Sequence, residues 1–421
     1  MTTRGSTVNI KATIQRAISE TKITDMHTHV HDPAFGDLVL WGIDDLLTYH
    51  YLVSEAFRWM DISYEDFWAM PKQRQADMVW KALFIDHSPI SESCRGVLTT
   101  LDALGLDTSS RSLEGYRSFF ESITIRDYMD RVFEIANLES VVMTNDPFDD
   151  LERPIWLAGF ERDPRFHAAL RLDALLNSWE TAAPRLREWG YDVALDFAGN
   201  TCAEVRRFMA EWIDRMDALY MAVSLPPDFA YPEDSPRGRL ITDCALPIAK
   251  ETGLAIGLMI GVKRQVNPVL RLAGDSVAKA DMTALENICR DNPDVKFLVT
   301  MLSRENQQEL CVTARKFRNV HVFGCWWYLN SPYFIDELTR MRLEWLGLSF
   351  TPQHSDARVL DQVIYKWRHS LPIIADALAD KYAALATTGW QVSEQDIRRD
   401  ITGLLGGNFW EFIAKGSQVV S

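Results

Sequence analysis

The sequence predicts an α/β protein: a distorted (β/α)8 barrel of the TIM type, with a helical insertion after the first strand and a helical C-terminal region. Two observations lead there. Eight short apolar, β-branched runs recur along the 421 residues, separated by stretches of helical periodicity. In addition, the first and the last of these runs each lead into side chains of metal-ligand type. A barrel that closes its first strand against its last would bring those two segments together, at the strand ends where such folds place their chemistry.

The elements run in this order. Lys22-Ile23-Thr24 opens the first strand and leads into Asp25-Met26-His27-Thr28-His29. Residues i and i+2 of a strand share a face, so His27 and His29 are expected to project together, with Met26 and Thr28 on the other side. The gap to the second run is too long for one helix, and 33–135 reads as a helical insertion carrying Trp59, Trp68 and Trp80. The second run is 140–144 and the third Phe166–Arg171. A long connection runs from Asp173 to Leu219 and contains a helix over Thr201–Met216. The fourth to eighth runs are 220–224, 254–259, 296–301, 320–324 and 348–351, with helical periodicity over 305–317. The remainder reads as helical, broken by Gly406-Gly407. No repeat or linker divides the chain, so residues 1–421 are expected to form one barrel domain.

Composition narrows the function. Hydrophobic residues make up 47% and charged residues 24%, enough for a large core. No run of about 18 apolar residues occurs, which argues against a membrane span. The start, Met1-Thr2-Thr3-Arg4-Gly5-Ser6, lacks a secretory pattern, and a cytoplasmic location is expected. Six cysteines with no C-x-x-C spacing fit reduced, buried thiols. The net charge of −15, from 44 basic and 59 acidic residues, argues against nucleic acid as a partner. An anionic substrate would then need a locally cationic pocket, for which Arg171, Arg358 and His50 are the candidates. An aromatic-rich insertion is compatible with a homo-oligomer.

His27 and His29 suit a divalent transition metal as neutral imidazoles; the plain alternative is a pair of histidines beside a buried turn. Asp356, after the eighth run, could be both ligand and proton acceptor. It could instead cap a helix beginning at Ala357-Arg358-Val359-Leu360, although Ser355 can fill that role. Arg358 at the same mouth needs a carboxylate partner, either Asp356 or a substrate. Arg171 ends the third run, aimed into the mouth or bridged to Asp173 or Asp146. His50-Tyr51 belongs to the insertion, as site residues or as aromatic packing. Asn145-Asp146-Pro147 reads as loop-shaping. Trp326-Trp327 could wall a substrate or pack in the core, and Arg304-Glu305-Asn306 is either a mouth segment or a helix start.

Taken together these segments resemble the uronate isomerase (glucuronate isomerase) family, a divergent branch of the amidohydrolase superfamily. The similarity is greatest to its smaller bacterial members, which lack one of the usual barrel histidines. The metal-binding H-x-H is matched by His27 and His29, the His-Tyr pair by His50 and Tyr51, and the Asp-Pro loop by Asn145-Asp146-Pro147. The R-x-D is matched by Arg171 and Asp173, the tryptophan pair by Trp326 and Trp327, and the D-x-R by Asp356 and Arg358. The resemblance covers essentially the whole length. One departure is Met259, where better-known members have histidine; a thioether is a poor ligand for such an ion.

The resemblance implies an aldose–ketose isomerase of hexuronates with one divalent metal ion on His27, His29 and Asp356, zinc by expectation and manganese or another ion as the alternative. Proton transfer through a cis-enediol then suits a single metal better than a hydride shift. Asp356, Tyr51, Arg358 and His50 are the implied catalytic groups; Arg171, His50, Tyr51, Arg358 and Trp326 are the implied substrate contacts. Either Asp356 or Tyr51 could be the base at C2. Tyrosine would need a nearby cation such as Arg358, since a free phenol has a pKa of about 10. The competing reading is a mononuclear metal-dependent hydrolase of lactones or similar esters, using the same three ligands.

Overall fold

The computed structural model of the chain describes residues 10–415; residues 1–6, read above for a leader pattern, lie outside the described residues. Seven parallel strands form one curled sheet. They are β1 (Ile23–Thr28), β2 (Leu138–Asn145), β3 (Phe166–Arg171), β4 (Ala218–Leu225), β5 (Ala255–Ile260), β8 (Phe297–Met301) and β9 (Val320–Val322), each hydrogen-bonded to the next in that order. Two further short strands, β6 (Val262–Lys263) and β7 (Ser276–Val277), pair antiparallel as a ribbon after β5 that the sequence did not suggest. The fold class is the expected α/β barrel type.

The eighth barrel position differs from expectation. The run at 348–351 is not a strand; Thr351 makes a single parallel bridge to Phe323. The segment beyond it nonetheless bonds to both neighbours. On one side the Gly324 amide donates to Thr351 (2.8 Å) and the Thr351 amide to Val322 (3.0 Å). On the other, the His29 amide donates to Ala357 (2.7 Å) and the Asp356 amide to His27 (3.3 Å). Pro352 has no amide proton to offer a ladder and Asp356 has a φ of 53°, so this stretch cannot run as a regular strand. The two edges of the sheet, β1 and β9, are thus joined by an irregular segment. The buried Asp25 carboxylate ties it further by accepting from the Ser355 amide (3.0 Å) and the Trp367 indole (2.9 Å).

Period-2 alternation sorts the strand residues into two cores. Val141, Met143, Leu170, Met221, Val223, Ile256, Leu258 and Val299 pack outward, under the helices. Val142, Ala169, Tyr220, Ala222, Met259, Leu298 and Phe323 pack inward, in the barrel. The C-terminal helix Asn408–Ala414 stoppers the far end of the barrel with Phe409 and Phe412. Gly406 makes the approach possible, since a Cβ there would lie 2.8 Å from Cβ of Thr24 at a φ of 143°. Between β1 and β2 the chain is helical, with Ile43–Leu47, His50–Ala56, Tyr64–Ala69, Lys72–Trp80, Glu92–Ala103, Glu114–Glu121 and Ile125–Ile135. The helix over Thr201–Met216 lies where its periodicity placed it, whereas 305–317 divides into a short turn at Arg304–Asn306 and a helix over Gln307–Ala314. Among the described residues no helix is long and apolar enough to cross a membrane.

Candidate active site and metal centre

The strand ends meet around a cleft lined among others by His27, His29, His50, Tyr51, Arg171, Trp326, Asp356 and Arg358. The eight residues proposed from sequence for metal, catalysis or substrate therefore line one cavity, whereas the other mouth candidate, Arg304-Glu305-Asn306, does not, with Arg304 paired to Glu337 (3.0 Å). His27 comes from β1 and His29 from just beyond its end. Asp356 comes from the irregular segment that lies against β1, and Arg171 from the end of β3.

The potential ligand atoms of His27, His29 and Asp356 lie within 4.8 Å of one another. Oδ1 of Asp356 is 3.8 Å from Nε2 of His27 and 3.6 Å from Nε2 of His29. Burial pushes the His27 imidazole down to about 3 and His29 well below its ordinary value. The Arg358 and Arg171 guanidinium groups push His29 the same way. Both rings are therefore neutral near pH 7, and the two separations are not ion pairs. Two ligands bound about 2.1 Å from a tetrahedral ion sit ~3.4 Å apart, close to what is found here. Oδ1 of Asp356 is buried and has no hydrogen-bond partner among the described residues. Two neutral imidazoles and an unsatisfied carboxylate oxygen fit a divalent ion and leave further coordination positions open.

Strict alternation in β1 fails at Met26, which packs inward with Tyr220 and Met259 rather than opposite His27. The register of β1 against β2 shifts between Asp25 and Thr28. Such an irregularity re-aims side chains locally, here putting Met26 and His27 both toward the interior. Met259 is buried in the barrel and brings no third imidazole from β5. His31 stacks on Phe35 with its Nε2 3.9 Å from Glu152, away from the three ligands.

Around this centre the cations differ in their partners. Arg171 is held by Asp173 through Nε (3.1 Å) and Nη2 (2.8 Å), so the bridge and the position in the cleft occur together. Burial would lower its pKa, but Asp173, Asp146 and Glu152 outweigh that and keep it charged. Arg358 has no carboxylate within ion-pair distance among the described residues, neither Asp356 nor any other. Its amide instead donates to Gln362 Oε1 (2.9 Å), as does that of Val359 (3.1 Å). Consequently the next helix starts at Gln362, not at Ala357 as the sequence suggested. Ser355 Oγ accepts from the Ala357 amide (3.2 Å), which leaves Asp356 out of any capping role.

His50 opens the helix His50–Ala56, its ring 4.4 Å from Tyr51 and 5.8 Å from Trp327, with a buried Nε2 lacking a partner. Burial takes it down to about 3. The Tyr51 phenol moves well up, first through burial and then through Tyr49, Asp356, Tyr365 and Glu92. No cation is among the main influences on the Tyr51 phenol. Lys366 Nζ lies 5.7 Å from the Tyr51 ring, but is committed to Glu92 (2.9 Å) and to the Asn330 carbonyl (2.9 Å).

Three features went unread in the sequence. Arg264, paired with Asp275 at 2.6 Å, lines the cleft together with Leu272; both come from the loop joining β6 to β7 and its flanks. His354 is fully buried beside His27, with ring centroids 5.3 Å apart and neither nitrogen partnered. Tyr220 and Thr144 stand behind the two ligand histidines. Their inward position on β4 and β2 was the one available signal.

Comparison with known structures identifies the family. A uronate isomerase from Bacillus halodurans C-125 is 55% identical over 97% of this chain and 96% of its own, with a TM-score of 0.95. A glucuronate isomerase from Caulobacter crescentus (15% identity, 98% and 96% covered, TM-score 0.78) shares the fold. So does a uronate isomerase from Thermotoga maritima (14%, 96% and 97%, 0.77). No protein-family model matches the chain, and no curated protein does. Identity above half over nearly the full length decides the matter: this enzyme belongs to the uronate isomerase family.

Proposed function

We propose that the enzyme interconverts D-glucuronate with D-fructuronate and D-galacturonate with D-tagaturonate, by proton transfer through a cis-enediol. The observation that supports this reading is the single cleft in which His27, His29 and Asp356 face Arg358, Arg171, His50 and Tyr51. A divalent ion held by the first three residues, zinc or manganese, would supply electrophilic polarisation of substrate oxygens. Arg358, which has no carboxylate partner among the described residues, is the group best suited to a substrate anion. Arg171 and His50 hold further oxygens.

The remaining steps are proton transfers. Asp356 takes the proton from C2 while Tyr51, still carrying its phenolic proton, donates to O1 as the C1 carbonyl gains electrons. The neutral enediol then collapses: O2 returns its proton to Tyr51, and Asp356, its proton exchanged with solvent while the enediol persists, delivers a solvent-derived proton to C1. The upward shift of Tyr51 supports this assignment, because it keeps the phenol protonated in the resting enzyme and so leaves the carboxylate to act as base. The hydrolase reading is not favoured, because the family is one of isomerases. We place the enzyme in the cytoplasm, where its unpaired cysteines stay reduced.

The test is a ketose assay on both uronates in deuterated water, with metal analysis of the same sample. Ketose carrying solvent deuterium at C1 is expected, together with a loss of orders of magnitude in Asp356→Asn. Absence of ketose, with acid release from sugar lactones, would overturn the isomerase reading. Ketose that retains all the substrate hydrogen would overturn the enediol route.

A further inference from the structure

We propose that Tyr220 and Thr144 are positioning residues that set both ligand histidines in the Nδ1–H tautomer, leaving each Nε2 lone pair to face Asp356. The inference deepens the metal-centre reading and rests on it.

A hydroxyl has one proton to give. The Tyr220 hydroxyl donates to the Met26 carbonyl at 2.8 Å, and the same oxygen lies 3.0 Å from Nδ1 of His27. With its proton already directed at a carbonyl, that oxygen can only accept, so Nδ1 of His27 is the donor. If the hydroxyl turned to Nδ1 instead, two oxygens would face each other at 2.8 Å without a proton between them, in a fully buried site. Thr144 repeats the arrangement. Its Oγ1 donates to the Thr28 carbonyl at 2.9 Å and lies 2.9 Å from Nδ1 of His29.

The two units share one design. In each, the histidine Nδ1–H donates to a hydroxyl, and the hydroxyl donates to the carbonyl of the residue just before that histidine. The hydroxyls come from different strands, β4 and β2, so β1 is held from two directions. An imidazole protonated at Nδ1 has only Nε2 from which to offer a lone pair. Those are the atoms 3.8 and 3.6 Å from Asp356 Oδ1. Partners of this kind fix ring orientation as well as tautomer, and their loss typically weakens a metal about 10- to 100-fold.

Two measurements test this on the full chain. Zinc dissociation constants from chelator competition should rise about 10- to 100-fold in Tyr220→Phe and in Thr144→Val, and stay within about threefold of the parent in Thr144→Ser, which keeps the hydroxyl. Parent-like zinc affinity in both Tyr220→Phe and Thr144→Val would overturn the proposal. Independently, ¹⁵N spectra of the histidine rings in the metal-free parent should show His27 and His29 protonated at Nδ1. Protonation at Nε2 in either would overturn it without any variant having to fold. If the parent bound neither zinc nor manganese, the metal-centre reading would fail, while the ring spectra would still decide the tautomer.

Discussion

His321 offers a direct test of how burial sets protonation in this barrel. It sits on β9 at the end away from the cleft, its Nε2 2.9 Å from Thr351 Oγ1 and its ring 5.1 Å from that of Phe412. Burial pushes its pKa down to about 3, with Lys415 and Arg342 adding to the shift. The unfolded chain should titrate near 6.5. Between those values the unfolded state binds a proton that the folded state refuses. The stability His321 contributes is therefore complete above the unfolded value and is lost as pH falls toward 3. From pH 7 to pH 5 that loss is ~2 kcal/mol for this one group. His27, His50 and His354 act in the same direction, whereas buried Asp25 and Asp361, raised to about 6, act in the opposite one. Comparing the parent with His321→Gln cancels all of these, and glutamine can still bond to Thr351. The assay is urea unfolding of both proteins at pH 7 and pH 5. The parent should lose about 2 kcal/mol more than the variant. Equal losses would show that His321 is not held neutral by burial.

Two further variants probe the site. Gly324 has a φ of 60°, and a Cβ there would lie 1.6 Å from His354 Nδ1. Gly324→Ala should cost ~3 kcal/mol or more in thermal melting, and the double variant with His354→Ala should cost less than the sum of the two singles; additive losses would sever the link between these positions. Arg171→Met should raise the Michaelis constant for uronates about tenfold or more and lower the melting temperature by leaving Asp173 unpaired. An unchanged Michaelis constant would remove Arg171 from substrate binding.

Much of the barrel was legible because its signals are local. The run Phe166–Arg171 is β3 as read, and the runs for β2, β4, β5 and β8 fall within a few residues of the strands found. Near-continuous apolar, β-branched runs mark such strands wherever both faces are buried. The eighth run misled because a short apolar stretch carries no information about the backbone of the residues after it. Pro352 and the positive φ of Asp356 convert the expected strand into a segment bonded to β9 and β1 only at points. The helix boundary misled for a different reason: a Gln362 side chain takes the amides that a helical turn from Ala357 would have left free. The clustering of His27, His29 and Asp356 was readable because ligand types and strand ends coincide. The environment of Tyr51 was not readable, since Glu92 and Tyr365 approach it from distant parts of the chain.

Charge explains how an acidic protein can take an acidic substrate. The cleft is lined by three guanidinium groups, Arg171, Arg264 and Arg358, and by three carboxylates, Asp173, Asp275 and Asp356. Two of the cations are spent on neighbouring acids, at 2.8 Å for Arg171 and 2.6 Å for Arg264. Asp356 and Arg358 remain, and they are not paired with each other. The protein's own groups therefore sum to no net attraction for an anion, against a chain carrying −15 overall. On the proposed reading, a divalent ion beside Asp356 tips that balance to positive. Arg358 is then free to meet a carboxylate, because Asp356 is engaged elsewhere. On that reading the unpaired arginine and the orphaned carboxylate oxygen belong together: separating them in the protein would leave the first for the substrate and the second for the metal.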